Sequence, residues 1–188
     1  MTINCHKSIY VFGNNVTWFL DLATGVLSIS GEGEMRNGLY TSDIPWYSYR
    51  DLIKEVVIED GVTSIGAWAF YGCTNLASVT IPDGVTSIGG SAFAGCSSLT
   101  SITIPDGVTS IGSYVFSNCQ RLTDIVIHDS VMTIGDSAFY NCNNLTSVTL
   151  PKSLLRIGNS AFMNCCSLRS VVIPDGTVGI GTRAFDAC

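Results

Sequence analysis

Basic residues are what this chain most lacks. Lysine and arginine together number 9 in 188 residues, against 15 aspartates and glutamates, for a net charge of −6. Nucleic-acid binding rests on Lys and Arg that neutralise phosphates, so no nucleic acid is expected as a partner. Anionic membrane surfaces are disfavoured on the same ground. Histidine is rarer still, with only His6 and His128, and a nucleophile needs a base beside it. No apolar run approaches the ~18 residues that cross a bilayer, so membrane insertion is not expected. Met1 to Lys7 contains no apolar stretch of the signal-peptide kind. The expectation is that any export signal lies outside this chain. The last repeat stops at Cys188 without the polar cap that usually closes a solenoid, which points to a fragment of a longer protein.

What the chain has is a period. Cysteine recurs every 23 residues, at Cys73, Cys96, Cys119, Cys142, Cys165 and Cys188. Six segments, starting at Ile53, Leu76, Leu99, Leu122, Leu145 and Leu168, share the template L-x-x-[VI]-x-[IL]-P-x-G-V-x-x-I-G-x-x-A-F-x-x-C. A fixed period of this size is the mark of a solenoid, in which each repeat buries its apolar face on its neighbours. Residues 53–188 are therefore read as six stacked coils, and residues 1–52 as a separate N-terminal cap segment.

Each coil can be read from the third segment. Leu99, Ile102 and Ile104 mark a short strand, and Pro105-Asp106-Gly107 turns the chain. Val108 and Ile111 face inward on a second extended stretch. A glycine then recurs at 66, 89, 112, 135, 158 and 181, which implies a positive φ or a close backbone approach. Tyr114-Val115-Phe116 has room for one helical or 3₁₀ turn. Strands of successive coils pair at about 4.8 Å, so Phe70, Phe93, Phe116, Phe139, Phe162 and Phe185 are expected to form one buried column. Gly72, Gly95, Asn118, Asn141 and Asn164 are the residue types that enter the left-handed region most cheaply, and are read as closing the turn. In the cap, residues 16–22 and 26–30 flank Ala23-Thr24-Gly25 as a hairpin. A helical turn is expected near Ser48 to Leu52.

The phrases Leu-Thr-Ser-Ile-Thr-Ile-Pro (99–105), Val-Thr-Ser-Ile-Gly (108–112) and Ser-Ala-Phe-Ala-Gly-Cys (91–96) resemble the BspA-like class of leucine-rich repeat proteins. The 18–35 hairpin is similar to the cap that often precedes such repeats. The resemblance implies an α+β repeat solenoid: a right-handed leucine-rich-repeat stack of short parallel strands and short helical or 3₁₀ turns, with an N-terminal β-hairpin cap. It also implies a cell-surface or secreted protein that adheres to host matrix proteins or to other cells, without enzymatic activity or cofactor. The class offers no fixed binding residues to carry over.

Three groups of residues were candidates for chemistry. Stacked cysteines project in parallel, whereas a disulfide needs facing side chains and a dihedral near 90°. Free buried thiols are the expectation, with bridges or a soft-metal ladder as alternatives. Cys5 and Cys166 fall outside the ladder, and Cys166 is read as the more reactive thiol. Asp60, Asp83, Asp106, Asp129 and Asp175 share a column that could line up for calcium. Aspartate before glycine is also ordinary turn chemistry, and Lys152 interrupts the column, so no metal site is assigned. A Cys119–His128 pair would need one partner in the core and the other on the surface.

The partner-binding candidates are columns that vary between coils, because stacking does not dictate them. Trp68, Tyr71, Tyr114 and Tyr140 stand there as the aromatic types that dominate interface hot spots, with packing against a neighbouring coil as the alternative. The outward strand face carries Glu55, Val57, Thr80, Thr103, Asp124, Val126 and Thr149, a flat, β-branched surface on which a protein ligand could dock. The two readings that follow are an adhesion or protein-binding module, and a structural spacer with no ligand of its own.

Overall fold

A computed structural model describes residues 10–13 and 15–188; Cys5 and His6 lie outside the described residues. The chain begins with β1 (Tyr10–Val11), β2 (Val16–Asp21), β3 (Val26–Gly31) and β4 (Gly33–Glu34). β2 and β3 form the antiparallel hairpin, with Val16 opposite Gly31 and Asp21 opposite Val26. The Asp21 carboxylate accepts the Ala23 amide at 2.9 Å and pins the turn. Trp18, Leu27 and Ile29 alternate inward from the two strands. A short 3₁₀ turn, Thr41–Asp43, is followed by a longer one, Tyr47–Leu52, where the sequence places a helical turn.

β3 then pairs in parallel with β5 (Glu55–Ile58), so the hairpin continues the solenoid sheet instead of standing apart from it. Coil 1 also holds β6 (Val62–Ile65). Coil 2 holds β7 (Ser78–Thr80) and β8 (Ser87–Ile88). Coil 3 holds β9 (Ser101–Thr103) and β10 (Ser110–Ile111). Coil 4 holds β11 (Asp124–Val126) and β12 (Thr133–Ile134). Coils 5 and 6 carry β13 (Arg156–Ile157) and β14 (Gly179–Ile180). All pairings between coils are parallel and fall at the 23-residue step, as in Val56 with Val79, Ile125 with Ile102 and Ile134 with Ile157.

The third side of each coil is a chain of tight turns. The i→i+3 bonds of a 3₁₀ turn are present, for example Tyr71 N–H to Trp68 O at 3.0 Å and Cys73 N–H to Phe70 O at 3.2 Å. They do not propagate into a helix, because two left-handed residues interrupt each run. One is the expected Gly/Asn column, with φ of 68° at Gly72 and 60° at Asn118. The other is a column of ordinary residues: Trp68, Ser91, Tyr114, Ser137, Ser160 and Arg183 all have φ between 52° and 65°. The flipped peptides aim every second amide along the rod. Phe70 N–H reaches Ala92 O at 2.8 Å, Phe93 N–H reaches Val115 O at 3.0 Å, and Phe139 N–H reaches Ala161 O at 2.7 Å. In this ladder each coil donates to the coil that follows.

The repeated glycine, by contrast, has no positive φ. Its role is close approach: a Cβ at Gly89 would collide with Ala67 N, and one at Gly158 would sit 2.5 Å from Asp136 N. Gly112 differs, since a Cβ there would meet nothing nearer than 3.5 Å. It marks a discontinuity between coils 2 and 3. Both strand ladders stop there, with no pairing between β7 and β9 or between β8 and β10. The turn ladder runs on across the gap, through Ser91 N–H to Ser113 O at 3.1 Å and Gly95 N–H to Ser117 O at 2.7 Å.

Inside the rod the phenylalanines stack. Ring centroids are 5.2 Å apart for Phe70–Phe93, 5.6 Å for Phe93–Phe116 and 4.9 Å for Phe139–Phe162, with planes within 23° of parallel. The five fully buried rings, Phe70 to Phe162, each contribute about 1.5–3 kcal/mol, while Phe185, the last ring, is only partly buried. The first ring in the column precedes the 23-residue template that starts at Ile53. Trp46, fully buried, stacks 5.9 Å from Phe70, and its indole Nε1 donates to Ala69 O at 2.6 Å. In the next coil, the carbonyl equivalent to Ala69 is Ala92 O, which accepts from Phe70 N–H. One tryptophan thus replaces both the ring and the amide of a missing phenylalanine.

Candidate functional site

Five cysteines of the 23-residue column, Cys73, Cys96, Cys119, Cys142 and Cys165, are buried. Cys96, Cys119, Cys142 and Cys165 are buried, and each Sγ–H donates at 3.2 Å to the carbonyl of the phenylalanine in the coil before, Phe70, Phe93, Phe116 and Phe139 respectively. Burial pushes the thiols of Cys73, Cys119 and Cys165 up to about 12, so they stay protonated, as the donor roles of Cys119 and Cys165 require. Cys166 is exposed, outside the ladder. His128 is apart from Cys119 and pairs with Asp106, Nδ1 to Oδ1 at 2.6 Å. The aspartate column lies exposed at the turns, and Asp129 accepts the Lys152 amide at 2.8 Å. Among the described residues no three acidic, histidine or cysteine side chains converge as metal ligands, and no helix is long and apolar enough to cross a membrane.

The outward strand face has the two columns the sequence lays out. Glu55 aligns with Ser78, Val57 with Thr80, Asp124 with Ser101 and Val126 with Thr103. It is not one sheet, however. It breaks between β7 and β9, and Thr149 lies outside any strand. The face is therefore divided into two short patches, with Glu55 and Val57 half-buried and Thr80, Thr103, Asp124 and Val126 exposed. A hollow of ≈ 510 Å³ at coils 4–6 is floored by the repeat backbone at Gly158, Gly179 and Gly181 and gathers none of the candidate residues.

The aromatic columns behave differently. Trp68 and Tyr71 of coil 1, Tyr114 of coil 3 and Tyr140 of coil 4 line a single groove of ≈ 430 Å³ on the turn side. Trp68 and Tyr71 pack together at 4.8 Å, and Trp68 rests partly on the core, so part of that ring serves packing. Tyr114 is 49% exposed. Coil 2 makes the hollow by contributing only Ser91, Ala94 and Gly95 between the rings.

Sequence reading did not single out Gly95 and Asn118 as groove residues. Their signal lay in the Gly/Asn column. Asn164 Nδ2 donates to Asn141 Oδ1 at 2.7 Å and Asn141 Nδ2 to Asn118 Oδ1 at 2.9 Å. The amide ladder ends at Asn118, because coils 1 and 2 have glycine there. Asn118 Nδ2 turns to Ser117 Oγ at 3.2 Å, at the groove wall. Trp68 and Tyr114 also occupy the left-handed column that serine fills in coils 2, 4 and 5. A non-glycine residue there costs roughly 1–2 kcal/mol, and serine satisfies the stack equally well.

Residues 44–165 match the BspA type leucine rich repeat region, in six copies. Several solved structures are similar, three of which follow. A leucine-rich repeat protein of Eubacterium ventriosum is 27% identical, with a TM-score of 0.65 over 95% of this chain and 63% of its own. A leucine rich repeat protein of T. pallidum is 27% identical, with a TM-score of 0.75 over 95% of this chain and 88% of its own. A leucine rich cell surface protein of Faecalibacterium prausnitzii is 28% identical, with a TM-score of 0.54 over 87% of this chain and 54% of its own. The chain thus spans less than two thirds of the Eubacterium and Faecalibacterium proteins. No curated protein matches it.

Proposed function

The chain belongs to the BspA-type leucine-rich repeat family, and from that premise we propose that it is a non-enzymatic protein-binding module of a bacterial-type cell surface, adhering to host matrix or neighbouring-cell proteins. The observation that carries this reading is the turn-side groove. It collects four aromatic side chains from three coils at positions where stacking asks only for small residues. Aromatic anchors in a concave site are the usual source of binding energy. The surface location rests on the Faecalibacterium relative, which is a cell surface protein. The broken, flat strand face is the second candidate for contact.

The test is binding of the purified protein to an immobilised panel of extracellular matrix and cell-surface proteins. Two variants run beside it, Trp68→Asn/Tyr114→Asn on the groove and Thr80→Arg/Thr103→Arg on the strand face. Asparagine tolerates the left-handed backbone, so the groove variant keeps its fold. Saturable binding lost only in the groove variant supports the reading. Loss only in the strand-face variant moves the site to the strands. Absence of binding by the folded protein leaves a spacer within a longer surface protein.

A further inference from the structure

We infer that the groove takes a polyproline II segment, a proline-rich stretch of a partner protein; this rests on the protein-binding reading above. Three observations converge. First, the groove is lined only by uncharged residues, in a protein of net charge −6. Its occupant is therefore uncharged along the contact, as an oligoproline backbone is.

Second, the donors are unspent. Among the described residues, the hydroxyls of Tyr71, Tyr114 and Tyr140 and the Trp68 indole N–H have no hydrogen-bond partner, and Asn118 Nδ2 uses one of its two hydrogens on Ser117. A polyproline II chain has no internal hydrogen bonds, so its carbonyls are free acceptors. Aromatic grooves that recognise this conformation use the same combination of ring faces and donors.

Third, the spacing fits. Trp68 and Tyr114 occupy the same column two coils apart. The coil steps here are 5.2 and 5.6 Å, which puts the two residues about 11 Å apart along the rod. Like-facing residues of polyproline II recur every ~9.3 Å, three residues at 3.1 Å. Like-facing residues of a β-strand recur at ~6.7 Å and fit less well. Two turns of an α-helix also cover about 10.5 Å, but a helix spends its carbonyls internally and would leave the groove donors unpaired. A sugar would stack on the rings, yet the groove has a single amide and no carboxylate to grip its hydroxyls.

The experiment is a titration of the purified protein with a fluorescein-labelled ten-residue oligoproline, followed by anisotropy. A Gly-Ser peptide of equal length, an amphipathic helical peptide and a linear glucose hexasaccharide serve as competing probes. The inference expects saturable oligoproline binding in the range of about 10–100 μM, weakened tenfold or more by Trp68→Asn and by Tyr114→Asn. It expects no change with Thr80→Arg/Thr103→Arg. Circular dichroism verifies that each variant is folded. Equal binding of the Gly-Ser peptide, preference for the helix or the sugar, or insensitivity to both groove variants would overturn it. Groove-dependent capture of a panel protein without oligoproline binding would overturn the ligand chemistry while leaving the groove as the binding site. Panel binding lost only in the strand-face variant would overturn both.

Discussion

Removing the donor of Trp46 while keeping a ring should unfasten the rod from one end. In Trp46→Phe the phenyl can still stack on Phe70, now 5.9 Å from the indole. The Ala69 carbonyl loses its 2.6 Å bond, and leaving a buried acceptor unsatisfied costs about 1–3 kcal/mol. The smaller ring also vacates space against Phe12 and Trp18, which pack edge-on at 5.0 and 5.7 Å, so about 2–3 kcal/mol in total is a fair expectation. At roughly 2.1 cal/mol/K of unfolding entropy per residue, that loss lowers Tm by about 5–8 °C for a chain of this size. Trp46→Ala, which also loses the stack, should cost about 3–5 kcal/mol. Contacts in a solenoid pass only between neighbours, so the damage should be graded along the chain. Hydrogen exchange followed by mass spectrometry should speed up first in residues 26–75 and least in coils 5 and 6. A Trp46→Phe protein within 0.5 kcal/mol of the parent, or one in which all coils exchange faster together, would refute the view that this residue stands in for a repeat.

Three further outcomes follow. Gly112→Ala should be tolerated within about 0.5 kcal/mol, whereas Gly135→Ala, whose Cβ would lie 2.7 Å from the Gly112 carbonyl carbon, should cost about 1–3 kcal/mol; urea midpoints of the two compare them directly. The buried thiols of Cys73, Cys119 and Cys165 sit near 12 in the fold, against 9.0 for a free thiol. The unfolded chain therefore loses these protons first, and stability should hold below pH 9 and fall between pH 9 and 12, by up to about 1.4 kcal/mol per thiol per pH unit. A Cys119→Ala variant should show a shallower fall in urea midpoint over pH 9–10.5, and an identical slope would contradict the assignment. In a timed reaction with a thiol reagent, Cys166 and Cys188 should label in the folded protein, while Cys73, Cys96, Cys119, Cys142 and Cys165 should wait for denaturant; simultaneous labelling would mean the column is open.

The stack was legible in the sequence because every coil repeats the same chemical choice. Leu99, Ile102, Phe116 and Cys119 recur at one spacing, and only one arrangement buries them all. The left-handed Gly/Asn column was legible for the same reason, since glycine and asparagine advertise that backbone. The second left-handed column was not, because Trp68 and Tyr114 are residues that give no hint of positive φ; the turn imposes it on them. The break between coils 2 and 3 was invisible, since its residues obey the template; the unpaired strands and the open space around Gly112 reveal it. The aromatic candidates were visible as a column. That Trp68 and Tyr140, three coils apart, share one hollow depended on the smallness of Gly95 and on the end of the asparagine ladder. The role of Trp46 lay wholly in the third dimension, as it precedes the 23-residue template that starts at Ile53.

The turn ladder makes the rod a one-way track. Each coil hands its amides to the next coil's carbonyls, so the two ends of the stack are chemically unlike. At the start the exposed groups are acceptors, and the cap answers with donors: the Gly38 amide on Ala67 O and the Trp46 indole on Ala69 O. At the other end, Arg183, Phe185 and Ala187 stand where Trp68, Phe70 and Gly72 stand in coil 1, with their amides aimed onward. Whatever adjoins that end has to bring oxygens, from a further coil, a side-chain amide or a carboxylate. A copy of the N-terminal cap grafted there would meet donors with donors and fail to seat. Lengthening this protein by design therefore means adding coils, whether within the stack or after coil 6, because only a coil presents acceptors on its N-terminal side and donors on its C-terminal side along the turn ladder.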